Sequence, residues 1–107
     1  MTLQMLITET QNAAALAEYE RVFASDVVPL LKEAPGIQTA YFATEEGGLL
    51  AVVILIWLSR EKAIAWYNTH GYRRLASTLQ PYIHGSVITK FFRLEDERGN
   101  INRHILN

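Results

Sequence analysis

Cysteine is absent from the 107-residue chain, so neither a disulfide scaffold nor a thiolate metal site is open to it, and nothing of that kind argues for export. An excess of one charge is missing as well: ten Lys and Arg stand against eleven Asp and Glu. A balanced surface offers no field to hold a phosphate backbone or an anionic bilayer, which speaks against a nucleic-acid or membrane partner. The three histidines, His70, His84 and His104, lack the close spacing of a zinc or iron site, so no metal is expected. No Gly-rich phosphate loop and no nucleophile elbow occur. The opening Met1-Thr2-Leu3-Gln4-Met5-Leu6-Ile7 has neither a basic start nor a long apolar core, so it reads as mature protein with a cytoplasmic address.

Apolar bulk is what the chain does have. Half of its residues are hydrophobic, too many for a disordered segment, and the length suits one domain over about residues 1–94 with a polar tail over 95–107. In Leu3-Gln4-Met5-Leu6-Ile7-Thr8 the alternation of Leu3, Met5 and Ile7 predicts a strand with those three on its well-buried face. Thr10 or Asn12 then caps a helix from Ala13 whose stripe is Leu16, Tyr19 and Phe23; Pro29 should kink it or start a fresh turn near Ser25-Asp26, and Pro35-Gly36 ends it. Ile37 to Thr44 and Leu49 to Leu58 flank Glu45-Glu46-Gly47-Gly48, which reads as an antiparallel hairpin. Ser59 caps a second helix that pauses at Thr69-His70-Gly71 and resumes to Leu79, and a last strand covers Ile83 to Leu94.

This order, βαββαβ, predicts an α+β ferredoxin-like domain: a four-stranded antiparallel sheet with helices on one face. The run Leu49 to Leu58 is apolar on both faces and, at ten residues, too short to span a bilayer, which takes about 20 helical residues. The face away from the helices therefore needs a second cover. Five large side chains at roughly 2 kcal/mol each make that face worth about 10 kcal/mol, the size of a domain's whole stability. A second copy packed sheet against sheet is the expected cover, with the tail's Ile101, Ile105 and Leu106 as the alternative.

The plan, the length and the stretch Ile56-Trp57-Leu58-Ser59-Arg60-Glu61-Lys62-Ala63-Ile64-Ala65-Trp66 resemble the antibiotic biosynthesis monooxygenase-like families of the dimeric α+β barrel superfamily. Members show a Trp ending the third strand, a Ser or Asp capping the next helix and a second aromatic further along. The similarity spans about residues 2 to 94. It implies a homodimer through the sheet faces and, in several members, oxidation of aromatic phenols with no metal or flavin, so no cofactor is expected. Matched position by position, the substrate-binding Asn of the actinorhodin-pathway type falls at Val53 and a Tyr of that type at Ala63, while Trp57 agrees. In the haem-degrading branch the second Trp falls at Trp66, but the proximal His falls at Ala76, which leaves iron without its axial ligand.

The candidate site residues follow. His70 is the candidate base, since an imidazole titrates near neutral pH; its structural alternative is to meet free carbonyls at the end of a helical segment. Trp57, Trp66 and Tyr72 are candidate walls for a small aromatic molecule, and the alternative for each is ordinary core packing. Trp66 and His70 are four apart, which on one helix would put them on a common face. His84, beside Gly85 at the start of the last strand, is a candidate substrate contact. The leading functional expectation is a cofactor-independent monooxygenase acting on a small aromatic or quinol. The alternative is a non-catalytic binding or assembly module, suggested by Val53, Ala63 and Ala76.

Overall fold

In a computed structural model that describes residues 1–95, the chain runs β1 (Thr2–Thr10), α1 (Ala13–Val22), α2 (Val28–Lys32), β2 (Ile37–Thr44), β3 (Leu50–Trp57), α3 (Arg60–Tyr67), α4 (His70–Leu79) and β4 (Ile83–Arg93). The strands pair antiparallel in the order β2-β3-β1-β4, with the helices packed on one face. This is the ferredoxin-like arrangement that the sequence predicts, with each of its two helical segments broken in two. Of the tail assigned to 95–107, everything from residue 96 on, His104 included, lies outside the described residues.

Local chemistry accounts for each break. The Asn12 side chain accepts from Ala15 N–H at 2.8 Å and opens α1. Between α1 and α2 the chain widens into one π-helical turn, Phe23–Val27, in which Val28 N–H reaches back to the Phe23 carbonyl. Pro29 follows in the first turn of α2, where its missing donor costs least. Ser59 Oγ accepts from Lys62 N–H at 3.2 Å at the start of α3. Thr69 does two jobs at the α3–α4 break: its hydroxyl donates to the Trp66 carbonyl at 2.7 Å and accepts from Tyr72 N–H at 3.1 Å. The chain thus turns a corner between Trp66 and His70.

The sheet's two faces are sorted in an unexpected way. The helices cover Ala51, Val53, Leu55 and Trp57 of β3, as an apolar strand predicts. On β1, however, the covered residues are Thr2, Gln4, Leu6, Thr8 and Thr10, four of them polar. Leu3, Met5 and Ile7, read from the sequence as the buried face, lie on the open side and are only half-buried. They join there with Val52, Ile54 and Ile56 of β3, Tyr41 of β2, and Ile88 and Phe92 of β4. Tyr41 is 57% exposed, Ile88 53% and Phe92 46%, so the described residues leave this apolar face without a cover.

Candidate functional site

Between the sheet and the helices lies a cavity of about 70 Å³, partly open to solvent. That is several times the ~10–15 Å³ one water requires. Its floor is Leu6 of β1 with Val53 and Leu55 of β3; Tyr19 and Phe23 close one side, and Trp66, Tyr72 and Leu75 the other. Val27 and Leu31, with Ala76, Leu79, Gln80, Ile83 and Val87, form the remaining wall. A wider groove of about 260 Å³ runs between α2 and β2, but Lys32 is its one ionisable group and no aromatic lines it. The smaller cavity is the candidate site because rings wall it and the fold builds it from both layers.

The aromatic residues form a continuous series. Trp57 is fully buried at the end of β3, its indole N–H donating to Gln4 Oε1 at 3.0 Å. Its ring stands 5.5 Å from that of Trp66, which meets Tyr72 edge-on at 4.9 Å, and Tyr72 stacks on Tyr67 at 4.6 Å. Such contacts each contribute about 0.5–1.5 kcal/mol beyond buried area, so Trp66 and Tyr72 present fixed surfaces to the cavity. Trp57 does not line the cavity; it braces Trp66 from behind. On the opposite side Phe42 holds Tyr19 and Phe23 at 5.4 and 5.1 Å.

Among the described residues, the phenols of Tyr19 and Tyr72 are the only titratable groups on the lining. Burial pushes both above the ordinary tyrosine value; for Tyr72 the neighbouring Tyr67 hydroxyl adds to the rise, and for Tyr19 the Thr8 hydroxyl offsets part of it. Both phenols are therefore neutral O–H donors at physiological pH. His70 is the first residue of α4 and exposed, so it opens a helix where the sequence suggested it ends one. The Thr69 corner also separates it from Trp66, and the two do not share a helical face. His84 is exposed too, but it lies on the segment between Ile83 and Val87, both of which line the cavity. The structure thus brings Trp66 and Tyr72 together with Trp57 behind them, sets His84 on the rim segment, and leaves His70 off the lining.

Three polar residues here were not singled out from sequence as site candidates: Tyr19, Gln4 and Thr8. Gln4 and Thr8 are fully buried; Gln4 Nε2 has no hydrogen-bond partner among the described residues, while Thr8 Oγ1 has only the loosely placed Tyr19 phenol. An orphan of this kind costs about 1–3 kcal/mol. The only signal for them is the polar half of the β1 alternation. Among the described residues no cluster of three or more His, Asp or Glu is placed to hold a metal, and no helix is long and apolar enough to cross a membrane.

The chain has the fold of the antibiotic biosynthesis monooxygenase-like proteins, and the expected resemblance is borne out at that level. It is similar to the ActVA-Orf6 monooxygenase of Streptomyces coelicolor, solved in complex with nanaomycin D: 16% identity, TM-score 0.75, covering 90% of this chain and 88% of that one. It is similar to SnoaB, a cofactor-independent oxygenase from Streptomyces nogalater, at 17% identity and TM-score 0.75, covering 91% and 95%. A Deinococcus radiodurans protein assigned to the antibiotic biosynthesis monooxygenases superposes with TM-score 0.79 at 7% identity, covering 92% and 97%. No protein-family model matches the chain, and no curated protein matches it in sequence.

Proposed function

We propose that this chain is a cofactor-independent monooxygenase of a small aromatic or quinol substrate, working in the cytoplasm as a homodimer closed sheet against sheet. The observation that carries this reading is the cavity itself: an aromatic-walled, uncharged chamber between the sheet and the helices, on a fold shared with a cofactor-independent oxygenase and with a monooxygenase solved in complex with nanaomycin D. An anthrone-type substrate can take one oxygen atom of O₂ as a new ring carbonyl while the other leaves with its two benzylic hydrogens as water, so no external reductant is needed. The protein's part is to hold the ring against the wall that Trp66 and Tyr72 form together, facing Tyr19 and Phe23, to exclude water, and to let the proton go. Tyr72, held protonated, offers an O–H to the developing ring oxygen. Since the described residues of the lining include no base, the proton leaves through a group outside it: His84 on the rim segment, or His70 at the start of α4.

The alternative module reading draws on one feature of the lining: at the polar positions of the resembling family stand Val53, Ala63 and Ala76, and two of these, Val53 and Ala76, face the cavity. Oxygen uptake separates the two readings. With a panel of anthrones and quinols the purified protein should consume O₂ above buffer, and His70→Ala and His84→Ala should identify which imidazole accepts the proton. No uptake with any member, alongside saturable binding of the same compounds, would make it a binding module.

A further inference from the structure

The two walls of the cavity differ in how they meet oxidation. Among the described residues no sulfur lines it, and the side chains that give up an electron readily are Trp66, Tyr72 and Tyr19. Tyr19 is enclosed, with Phe42 at 5.4 Å as its aromatic neighbour, and a phenylalanine ring holds its electrons too tightly to pass one on. The opposite wall is continuous with the surface. Trp66 meets Tyr72 at 4.9 Å and Tyr72 stacks on Tyr67 at 4.6 Å, so three oxidisable rings in contact lead from the cavity to a ring that is 36% exposed. Trp57, 5.5 Å behind Trp66, is the closed end of the series. Its indole N–H donates to the Gln4 amide oxygen, which is no base, so an oxidised Trp57 cannot shed its proton there. Of the four rings Tyr67 is the most exposed, and a proton released from it meets bulk water.

We propose that Trp66, Tyr72 and Tyr67 form an exit for oxidising equivalents, carrying a one-electron hole from the cavity to the protein surface. The oxidant is an organic peroxyl radical, the species that arises when O₂ adds to a ring radical beside Trp66. That source rests on the oxygen-using reading above, while the route rests on the rings alone. The peroxyl radical takes one electron from Trp66 and one proton from water and becomes a hydroperoxide. Tyr72 refills Trp66 and hands its proton to the neighbouring Tyr67 hydroxyl, which releases its own to water. Tyr67 then passes an electron and a proton back to Tyr72 and is left as the neutral tyrosyl radical. Water has lost one proton and regained one, and the electron gained by the peroxyl radical has come from Tyr67. A soluble one-electron donor such as ascorbate restores the Tyr67 phenol with an electron and a proton. The rings that wall the cavity thus survive an aborted reaction unmodified.

Pulsed ultraviolet ionisation of tryptophan tests the route in the wild-type protein, because Trp57 and Trp66 are the two tryptophans of the chain and both belong to the series. With nitrous oxide and tert-butanol present to remove the ejected electron, the visible band of the tryptophanyl radical should decay as the tyrosyl band grows, at a rate independent of protein concentration. Tyr72→Phe should abolish that conversion. Tyr67→Phe keeps the stacked ring and removes only the hydroxyl, so it should leave the tyrosyl radical on Tyr72, where ascorbate clears it slowly. After repeated flashes in air with ascorbate, peptide mass spectrometry should find oxygen added to Trp66 in Tyr67→Phe and an intact Trp66 in wild type. Tyr41→Phe, on the open face of the sheet, should change neither readout. A conversion that survives Tyr72→Phe, or equal oxidation of Trp66 in wild type and Tyr67→Phe, overturns the exit. Because light supplies the hole, such a failure leaves the monooxygenase reading untouched.

Discussion

Ile54→Lys should take the proposed dimer apart without unfolding the subunit. Ile54 lies near the middle of the open sheet face, with Met5 of β1 on one side and Tyr41 of β2 on the other, while Lys90 of β4 stands toward the sheet edge as a polar rim position would. Its side chain contributes nothing to the covered core, so an isolated subunit should tolerate lysine there and its backbone pairing should persist. In a twofold interface each substitution occurs twice. Withdrawing a buried isoleucine at about 2 kcal/mol per copy removes about 4 kcal/mol of association energy. At 1.4 kcal/mol per factor of ten, that weakens the dimer roughly a thousandfold. Desolvating two ammonium groups adds to the loss, while bending of the lysine stems toward the rim gives part of it back. Sedimentation velocity at micromolar concentration reads the result directly: wild type as a dimer, Ile54→Lys as a single subunit, with matching far-ultraviolet circular dichroism. A wild-type protein that sediments as a monomer, or a variant that stays dimeric, refutes the assignment of this face to a second copy.

Other perturbations probe the covered side. Leu55→Ala, at a fully buried position on the cavity floor, should cost about 2–5 kcal/mol in urea denaturation, toward the upper end because the removed side chain adds its volume to an existing cavity. An unchanged midpoint would mean that the floor does not pack as described. Gly85→Ala should cost about 1–2 kcal/mol, because the backbone there has positive φ while a Cβ would meet nothing, so the loss is purely conformational. Stability should also fall in strong alkali. The Tyr19 and Tyr72 phenols are raised in the folded state, so above about pH 10 the unfolded chain releases protons that the folded one keeps. Their contribution is complete below the unfolded tyrosine value and is lost as pH climbs from there toward the folded values. Tyr72→Phe should flatten that alkaline limb in thermal melts across pH, and an unaltered slope would remove the phenol as its source.

The breaks between elements were legible because each carries a local signal: Asn12 and Ser59 as caps, Gly47 in the hairpin turn, Thr69 at the corner between α3 and α4. The site was less legible because its members meet only through tertiary pairing. Nothing in sequence separation connects Gln4 with Trp57, fifty-three residues away, or Thr8 with the bulge at Gly85. Position also changed meaning for His70, since a corner set by the Thr69 hydroxyl turned an expected helix end into a helix start.

The most instructive difference concerns β1. Alternation shows that the strand has two faces and that Leu3, Met5 and Ile7 form the apolar one, but it cannot say which face meets the helices. Inside a lone subunit the inverted choice is costly twice over, since it leaves three large apolar side chains half-exposed and buries four polar ones, with the Gln4 amide nitrogen unpaired. The first cost is removed when a second copy covers the outward apolar face, as proposed above. Leu55→Ala and Ile54→Lys act on opposite faces of the same sheet, and the two faces make separate contributions. The first should therefore lower the stability of the subunit with the residues of the open face unchanged, and the second should dissociate the dimer with the cavity's lining residues unchanged.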